Sequence, residues 1–311
     1  MTELAFVKGH GTRNDFVLFD DRDNKFDLTS DLVRKLADRH AGIGADGVIR
    51  VVASRYIDEG AEILKSEPHA TWFMDYRNAD GSIAQMCGNG VRVFAAYLEA
   101  LGLVSFSGGE TITIGTRAGA RTVSKQDGWY RVGMGTWSMP YATQAETSGY
   151  DATVTCTGLE PETSPRPGLS VDMGNPHTVI VVESTEQLRA INLQVAPHVE
   201  PVPPHGTNVE IVVPLNTTHA VNGHTQGHIA MRVHERGVGE TQSCGTGACA
   251  AAAAVRYWAH AQHDDNSTPV PDSWLVDVPG GQVQVDFADD YVWLSGPATL
   301  VAHGTAHIEL L

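Results

Sequence analysis

The sequence predicts an α+β fold of two similar β-rich domains, each wrapped around one central helix. Three observations predict it. Short alternating or apolar runs of strand type fill both halves of the 311 residues. Only two segments read as convincing helices, Gly88–Leu101 and Gly245–His260, one in each half. Each of these helices is preceded by the same kind of segment, Met86-Cys87-Gly88-Asn89-Gly90 in the first half and Ser243-Cys244-Gly245-Thr246-Gly247 in the second. A C-G-x-G turn that recurs once per half is the mark of an internal pseudo-repeat.

In the first half the strand-like runs are Asp15–Asp20, Gly47–Val52, Thr71–Tyr76, Thr111–Thr116 and Gly128–Met134, with a helix over Ser30–Arg39 capped by Ser30. Ala53–His69 reads as an enlarged hairpin. The stretch Tyr141–Ser170 is rich in Thr, Ser, Gly and Pro and reads as a linker zone holding one short strand around Cys156. In the second half the runs are Thr178–Val182, Asn208–Val213, His228–His234, Trp274–Val278 and Gln282–Phe287, the last two joined by a hairpin turn at Pro279-Gly280-Gly281. His263–Pro271 reads as a surface loop. The expected domains are 1–136, joined by a C-terminal strand within 297–311, and 137–296.

Acidic residues outnumber basic ones 37 to 21, for a formal charge of −16, and no Lys/Arg-rich stretch is present. Nucleic acid and anionic membranes are therefore poor partners, since both need a positive patch. The first ten residues lack the basic and apolar regions of a secretory signal, and the longest wholly apolar run, Ala248–Val255, is far too short to span a bilayer. The expected location is cytoplasmic. The expected partner is a small molecule; a homodimer is the assembly expected, although nothing in the sequence gives the oligomeric state. The four cysteines, Cys87, Cys156, Cys244 and Cys249, form neither a disulfide framework nor a zinc pattern.

A cysteine at a helix start meets unsatisfied N–H groups and the positive end of the helix dipole. Both favour the thiolate, so the expected pKa lies below the free value of about 8.5. The same N–H groups form an anion site suited to a carboxylate. If two such helix starts serve one substrate, its α-carboxylate is held by both. One thiolate then removes the α-proton while the other thiol protonates the opposite face. That is two-base inversion, with the helix ends stabilising enolate-like charge and no cofactor needed. Cys249, inside an Ala-rich helix, reads as a small buried residue.

Four further segments extend the pattern: Arg77-Asn78-Ala79-Asp80-Gly81-Ser82 before the first cysteine block, Asp172-Met173-Gly174-Asn175-Pro176-His177, Gly206-Thr207-Asn208-Val209, and Glu235-Arg236-Gly237-Val238-Gly239-Glu240-Thr241 before the second. In order and spacing the chain resembles diaminopimelate epimerases over nearly its whole length. The resemblance implies two similar α+β domains and the PLP-independent epimerisation of LL- to meso-2,6-diaminopimelate, a step of lysine and cell-wall precursor biosynthesis. It implies Cys87 and Cys244 as the acid–base groups, and Gly88, Asn89, Gly245 and Thr246 as holders of the α-carboxylate. It places Asn14 at the reacting end of the substrate and Asn78, Asn175, Asn208, Glu235 and Arg236 around the rest. His177 and Glu235 would tune the cysteines.

Taken singly, Asn14, Asn78 and Asn175 read equally as turn residues, and Glu235–Arg236 as a surface pair. Two departures stand out. Arg13 occupies a position where the family's usual opening has glycine, and Gly47 one where it often has an amide. Three alternatives remain. One is a racemase resembling proline racemase. Another is a phosphate- or nucleotide-binding module, which lacks the lysine of a P-loop. The last is a metal protein using Cys244, Cys249, His224 and His228.

Overall fold

The structure is a computed structural model that describes residues 3–161, 164–215, 218–221, 224–263 and 269–310. The chain divides into two compact units, Met1–Gly133 with Ser295–Leu311, and Met134–Leu294.

The first unit opens with β1 (Glu3–Gly11), β2 (Asn14–Asp20), α1 (Ser30–Ala37), β3 (Gly47–Ala53), α2 (Asp58–Ser66) and β4 (Trp72–Asn78). It continues with α3 (Gly88–Ala100), β5 (Ile112–Thr116), β6 (Gly119–Gln126) and the start of β7 (Trp129–Thr136). Along its sheet the pairing alternates: β1–β2 antiparallel, β2–β3 parallel, β3–β4 antiparallel, β4–β5 parallel, β5–β6 antiparallel. Both faces are covered. Val17, Phe19 and Val48 pack with Val33 and Leu36 of α1, whereas Phe16 and Ile49 reach α3. Successive side chains of a strand point to opposite faces, so a sheet covered on both sides reads as a continuous apolar run.

The second unit holds α4 (Ala142–Ser148), β8 (Ala152–Thr155), β9 (Arg166–Asp172), β10 (Pro176–Val181), α5 (Thr185–Ala190), β11 (His198–Glu200) and β12 (Asn208–Pro214). After these come β13 (Thr218–Val221), β14 (His224–Glu235), β15 (Gly239–Glu240), α6 (Gly245–Ala261), β16 (Ser273–Val278), β17 (Gly281–Ala288) and β18 (Tyr291–Gly296). The alternation of the first unit recurs: β9–β10 antiparallel, β10–β12 parallel, β12–β14 antiparallel, β14–β16 parallel, β16–β17 antiparallel. The repeat is thus written in sheet topology as well as in the two C-G-x-G turns. By this order β2 corresponds to β10, β3 to β12, β4 to β14 and α3 to α6. The chain then returns to the first unit in β19 (Thr299–His307), which pairs antiparallel with β1.

Each central helix is buried for most of its length. In α3 this covers Gly88 to Leu98, and in α6 Gly245 and Gly247 to Val255. Valine, phenylalanine and leucine fill the space around α3. Alanine dominates α6; it is the strongest helix former and the smallest apolar side chain, so sheet and helix can approach closely.

Several expectations are corrected. The cap of α1 is Thr29, whose hydroxyl accepts from Leu32 N–H at 3.2 Å, while Ser30 Oγ donates to the Gly81 carbonyl. That helix ends at Ala37, because Asp38 is extended and its carboxylate takes the N–H groups of His40 and Ala41. The connection over Ala53–His69 does join an antiparallel pair, and it contains a 3-10 turn (Ser54–Tyr56) and α2. Tyr141–Ser170 is not a linker. It supplies α4, β8 and the start of β9, and buried Asp151 accepts from both Ser170 N–H and Ser170 Oγ. The centre of the expected loop His263–Pro271 lies outside the described residues. No helix among the described residues is long and apolar enough to cross a membrane.

Candidate active site

Both cysteines are helix N-caps with extended backbones, Cys87 at φ −138°, ψ 120° and Cys244 at φ −116°, ψ 118°. In each, the sulfur accepts the N–H three residues on, from Gly90 and from Gly247, both at 3.4 Å. A thiol thus does the work usually given to a Ser or Asp oxygen.

Around Cys87 the neighbours are amides. Its S–H donates to Asn14 Oδ1 at 3.4 Å, which also accepts from Asn89 Nδ2 at 3.3 Å. Asn14 Nδ2 donates to Asp46 Oδ2 at 2.8 Å. A carboxylate only accepts, so Asp46 decides which way the Asn14 amide points and turns its oxygen to the sulfur. Asp46 is itself held by Arg39 at 2.7 Å, and Arg39 also grips Asp15. Burial pushes the Asp15 carboxyl up, but hydrogen bonds from Arg39 and Lys8 outweigh it and hold its pKa at about 2. Asn89 is tied at its other end, where Oδ1 accepts from buried Arg92 at 3.0 Å. Asn78 closes the turn after β4 through Ser82. The two departures from the family pattern differ: one goes against its local backbone and the other follows from local crowding. Arg13 takes the left-handed conformation, φ 64°, in the two-residue β1–β2 turn, where glycine would be unstrained. Gly47 has no room for a side chain, since a Cβ would lie 2.5 Å from the Tyr76 ring.

Around Cys244, which is 7% exposed, the neighbours are ionisable. Glu210 Oε1 and Cys244 Sγ lie 2.7 and 3.3 Å from the point where a Cβ on Gly247 would sit. Glu210 also meets His177 Nδ1 at 2.7 Å, with both side chains fully buried. Thr241 Oγ1 donates to Glu235 Oε1. Thr246 Oγ1 lies 3.6 Å from the sulfur and receives Asn175 Nδ2 at 3.4 Å. Asn208 clamps two strands, donating to the Pro176 carbonyl and accepting Arg236 N–H. The Arg236 guanidinium is exposed and donates to the His205 carbonyl.

The expected acidification fails at Cys244. Burial pushes its thiol well above the ordinary range, and the charges of Glu235 and Glu210 push the same way. The hydrogen bonds from Thr246 and Gly247 pull down and lose. Desolvation of a thiolate outweighs the pull of one helix start. Of the two residues expected to tune the cysteines, Glu235 acts on Cys244 directly, whereas His177 is bonded to Glu210. Glu210 was not among the expected residues. The signal for it is a single charge inside the run Asn208-Val209-Glu210-Ile211-Val212-Val213.

Elsewhere, Cys156 is buried and pushed up to about 11, and Cys249 is buried inside α6. Among the described residues no group of three or more His, Cys, Asp or Glu is placed to hold a metal. His228 pairs with Asp277, and the side chain of His224 lies outside what is described.

A family model described as diaminopimelate epimerase matches residues 6–140 and 169–301. The chain belongs to the diaminopimelate epimerase family. It is 42% identical to diaminopimelate epimerases of Rhodococcus erythropolis, covering 98% of this chain and 97% of that one, and of Streptomyces coelicolor, covering 97% and 95%. The break in the family match falls between β7 and β10, where α4 and β8 lie. Among solved structures, a phenazine biosynthesis protein of the PhzF family from Bacillus anthracis matches with a TM-score of 0.62 at 15% identity, covering 99% of this chain and 100% of that one. A hydroxyproline epimerase from Agrobacterium vitis matches with a TM-score of 0.58 at 12% identity, covering 98% and 91%. These two likenesses are of fold. They place the α+β architecture of this diaminopimelate epimerase family member among the racemase and PhzF-like folds.

Proposed function

We propose that the chain interconverts LL- and meso-2,6-diaminopimelate by a two-base reaction without a cofactor, with Cys87 and Cys244 as the two bases. The observation that carries this reading is the pair of sulfur-capped helices, in a chain 42% identical to diaminopimelate epimerases over nearly its whole length. The chemistry requires both sulfurs to reach one α-carbon from opposite faces. Backbone N–H groups at Gly88 and Asn89, and at Gly245 and Thr246, hold the α-carboxylate and gather the charge that builds when the proton leaves. In the LL-to-meso direction Cys244 is the acceptor after its own proton has passed to solvent; a thiol with a raised pKa is then the stronger base. Cys87, with its S–H held on Asn14, is the donor. The roles exchange in reverse.

Asn14 serves the reacting end of the substrate, and Asn78, Asn175, Asn208, Glu235 and Arg236 the remainder. The Arg236 fork suits the far carboxylate and Glu235 the far ammonium. The reading places the enzyme in the cytoplasm, where thiols stay reduced, on the route to lysine and cell-wall precursors. It takes a second copy of the chain as partner, and light scattering that finds a monomer at assay concentration removes that part.

The test is α-proton exchange in deuterated solvent on diaminopimelate, lysine and proline. Diaminopimelate exchanges fastest. Lysine, which lacks only the far carboxylate, is slower, because it offers the Arg236 fork no carboxylate to pair with. Arg236→Ala removes that preference while both thiols stay reactive. Faster exchange on proline than on diaminopimelate moves the chain to the proline racemase reading.

A further inference from the structure

The topological repeat allows a residue-by-residue question of what stands behind each sulfur-capped helix. In the first unit the parallel pair β2–β3 aligns Phe16 with Gly47, and Ile49 follows two residues on. In the second, β10–β12 aligns His177 with Asn208, and Glu210 follows two residues on. Phe16 therefore corresponds to His177, and Ile49 to Glu210. The correspondence extends to the helices. A Cβ on Gly90 would touch Ile49 Cδ1 at 3.4 Å and Phe16 Cζ at 3.6 Å, and a Cβ on Gly247 would meet Glu210 Oε1 at 2.7 Å. An apolar pair suffices to support the first helix start. The second places a fully buried imidazole and carboxyl in the same positions, at the cost of desolvating both.

That pair is also incompletely satisfied. His177 Nδ1 and Glu210 Oε1 are bonded to each other, while His177 Nε2 and Glu210 Oε2 are buried with no hydrogen-bond partner among the described residues. Buried polar atoms left in this way are costly and cluster where a fold serves chemistry. The Oε1–Nδ1 contact needs one proton between the two atoms. With the proton on Nδ1 and the ring neutral, Nε2 keeps a lone pair; an imidazolium would carry a proton there as well. With the proton on Glu210, neutral His177 carries its own proton on Nε2 and offers no acceptor there.

We propose that Glu210 is a positioning residue for the epimerisation: it holds the His177 ring with the proton on Nδ1, so that Nε2 is a proton acceptor behind the Cys244 helix start. This rests on the two-base reading above. Burial pushes the Glu210 carboxyl above its ordinary range and outweighs the pull of His177; when ionised, its charge adds to that of Glu235 in holding the Cys244 thiol protonated. The charged groups that act on Cys244 are Glu210 from β12 and Glu235 from β14, while His177 from β10 meets Glu210. Carboxylates on the other strands against α6 are bonded elsewhere, Asp172 to Gly174 N–H, Asp277 to His228 and Asp286 to Gln284.

The test combines wild-type enzyme with Glu210→Gln, which keeps the shape and removes the charge. Nitrogen-15 spectra of the wild type at neutral pH should show His177 protonated on Nδ1 alone. In Glu210→Gln, kcat on diaminopimelate should fall at least about 10-fold with KM within about 2-fold, as for a lost proton-transfer partner rather than a lost substrate contact. The pH midpoint for alkylation of Cys244 by iodoacetamide, read by peptide mapping, should move down, and that of Cys87 should stay. A wild-type proton on Nε2, in a neutral or cationic ring, overturns the proposal. So does a Glu210→Gln enzyme whose kcat falls while the Cys244 midpoint is unmoved, since that marks a merely structural role, or one whose kcat is unchanged. If the variant does not fold, the wild-type spectrum decides alone. If the wild type fails to act on diaminopimelate, the substrate reading falls, while the spectrum and the alkylation midpoints still judge Glu210.

Discussion

The first turn of α3 and the first turn of α6 are built alike and surrounded differently. Both are capped by a cysteine in extended conformation, both sulfurs receive the N–H three residues on at 3.4 Å, and both helices follow the corresponding strand of the same alternating sheet. Cys87 donates to the Asn14 amide, which Asn89 also contacts and which Asp46 orients. Around Cys244 stand Glu210, Glu235 and His177. The helix start therefore fixes where a sulfur sits and which N–H groups point at a carboxylate, but it does not fix how acidic the sulfur is. Burial and neighbouring carboxylates decide that, and at Cys244 they reverse the sign expected from the dipole.

The largest expected effect tests what the two share. Cys87→Ala and Cys244→Ala should each lower diaminopimelate epimerisation by at least about 10²-fold, the lower range for a missing general acid or base. Full activity in either single variant, with no added thiol, would end the two-base reading and make one half-site dispensable. The next effect tests what the two do not share. At Gly90 a methyl group finds ordinary contacts of 3.4 Å or more, so Gly90→Ala should leave the melting temperature unchanged or raise it slightly, as alanine does in a helix. At Gly247 the same methyl meets Glu210 Oε1 at 2.7 Å, and the carboxylate is pinned by His177. Gly247→Ala should cost about 1–3 kcal/mol, the range for overpacking a filled interior. Equal melting temperatures for the two variants would mean that Glu210 can move aside.

How much of this was legible in the sequence differs along the chain. The two helices were legible within a residue at their starts, because a C-G-x-G turn before an apolar, alanine-rich or valine-rich stretch is a start signal of its own. Buried strands such as Gly47–Ala53 were legible, here as Gly47–Val52, from runs that are apolar but for one residue, Arg50. Strand β19, Thr299–His307, was anticipated only as part of 297–311, and β1, Glu3–Gly11, was missed; β1 mixes lysine, histidine and glycine with its apolar residues and is held by pairing with a strand almost 300 residues away. Helix α2 was read as part of a hairpin, since its short amphipathic stretch, Asp58–Ser66, has no side-chain cap to announce it. In the site, the cysteines and the asparagines at strand ends could be named from motifs. The electrostatics could not. Glu210 acts on Cys244 only because a parallel pair brings β12 beside β10, and no spacing along the chain encodes that register.

The smallest effect sharpens the comparison most directly, because it reads the two thiols in one experiment. Iodoacetamide reacts with thiolate, so the rate at a given pH follows access and the ionised fraction. Cys244 is nearly buried and its thiol is pushed well above the ordinary range; Cys87 is half-buried. A group whose pKa is raised is protonated at pH values where a free thiol has begun to ionise. At neutral pH Cys87 should therefore carry the label first, because burial disfavours both access to Cys244 and its thiolate. As pH rises further the gap should narrow, because the raised Cys244 thiol ionises only in the strongly alkaline range. Glu235→Gln should narrow it further at every pH, by removing one of the charges that hold Cys244 protonated. Labelling of Cys244 ahead of Cys87 at pH 7.5 would show that the helix dipole does set the acidity of both sulfurs, and the contrast between the two helix starts would then be one of shape alone.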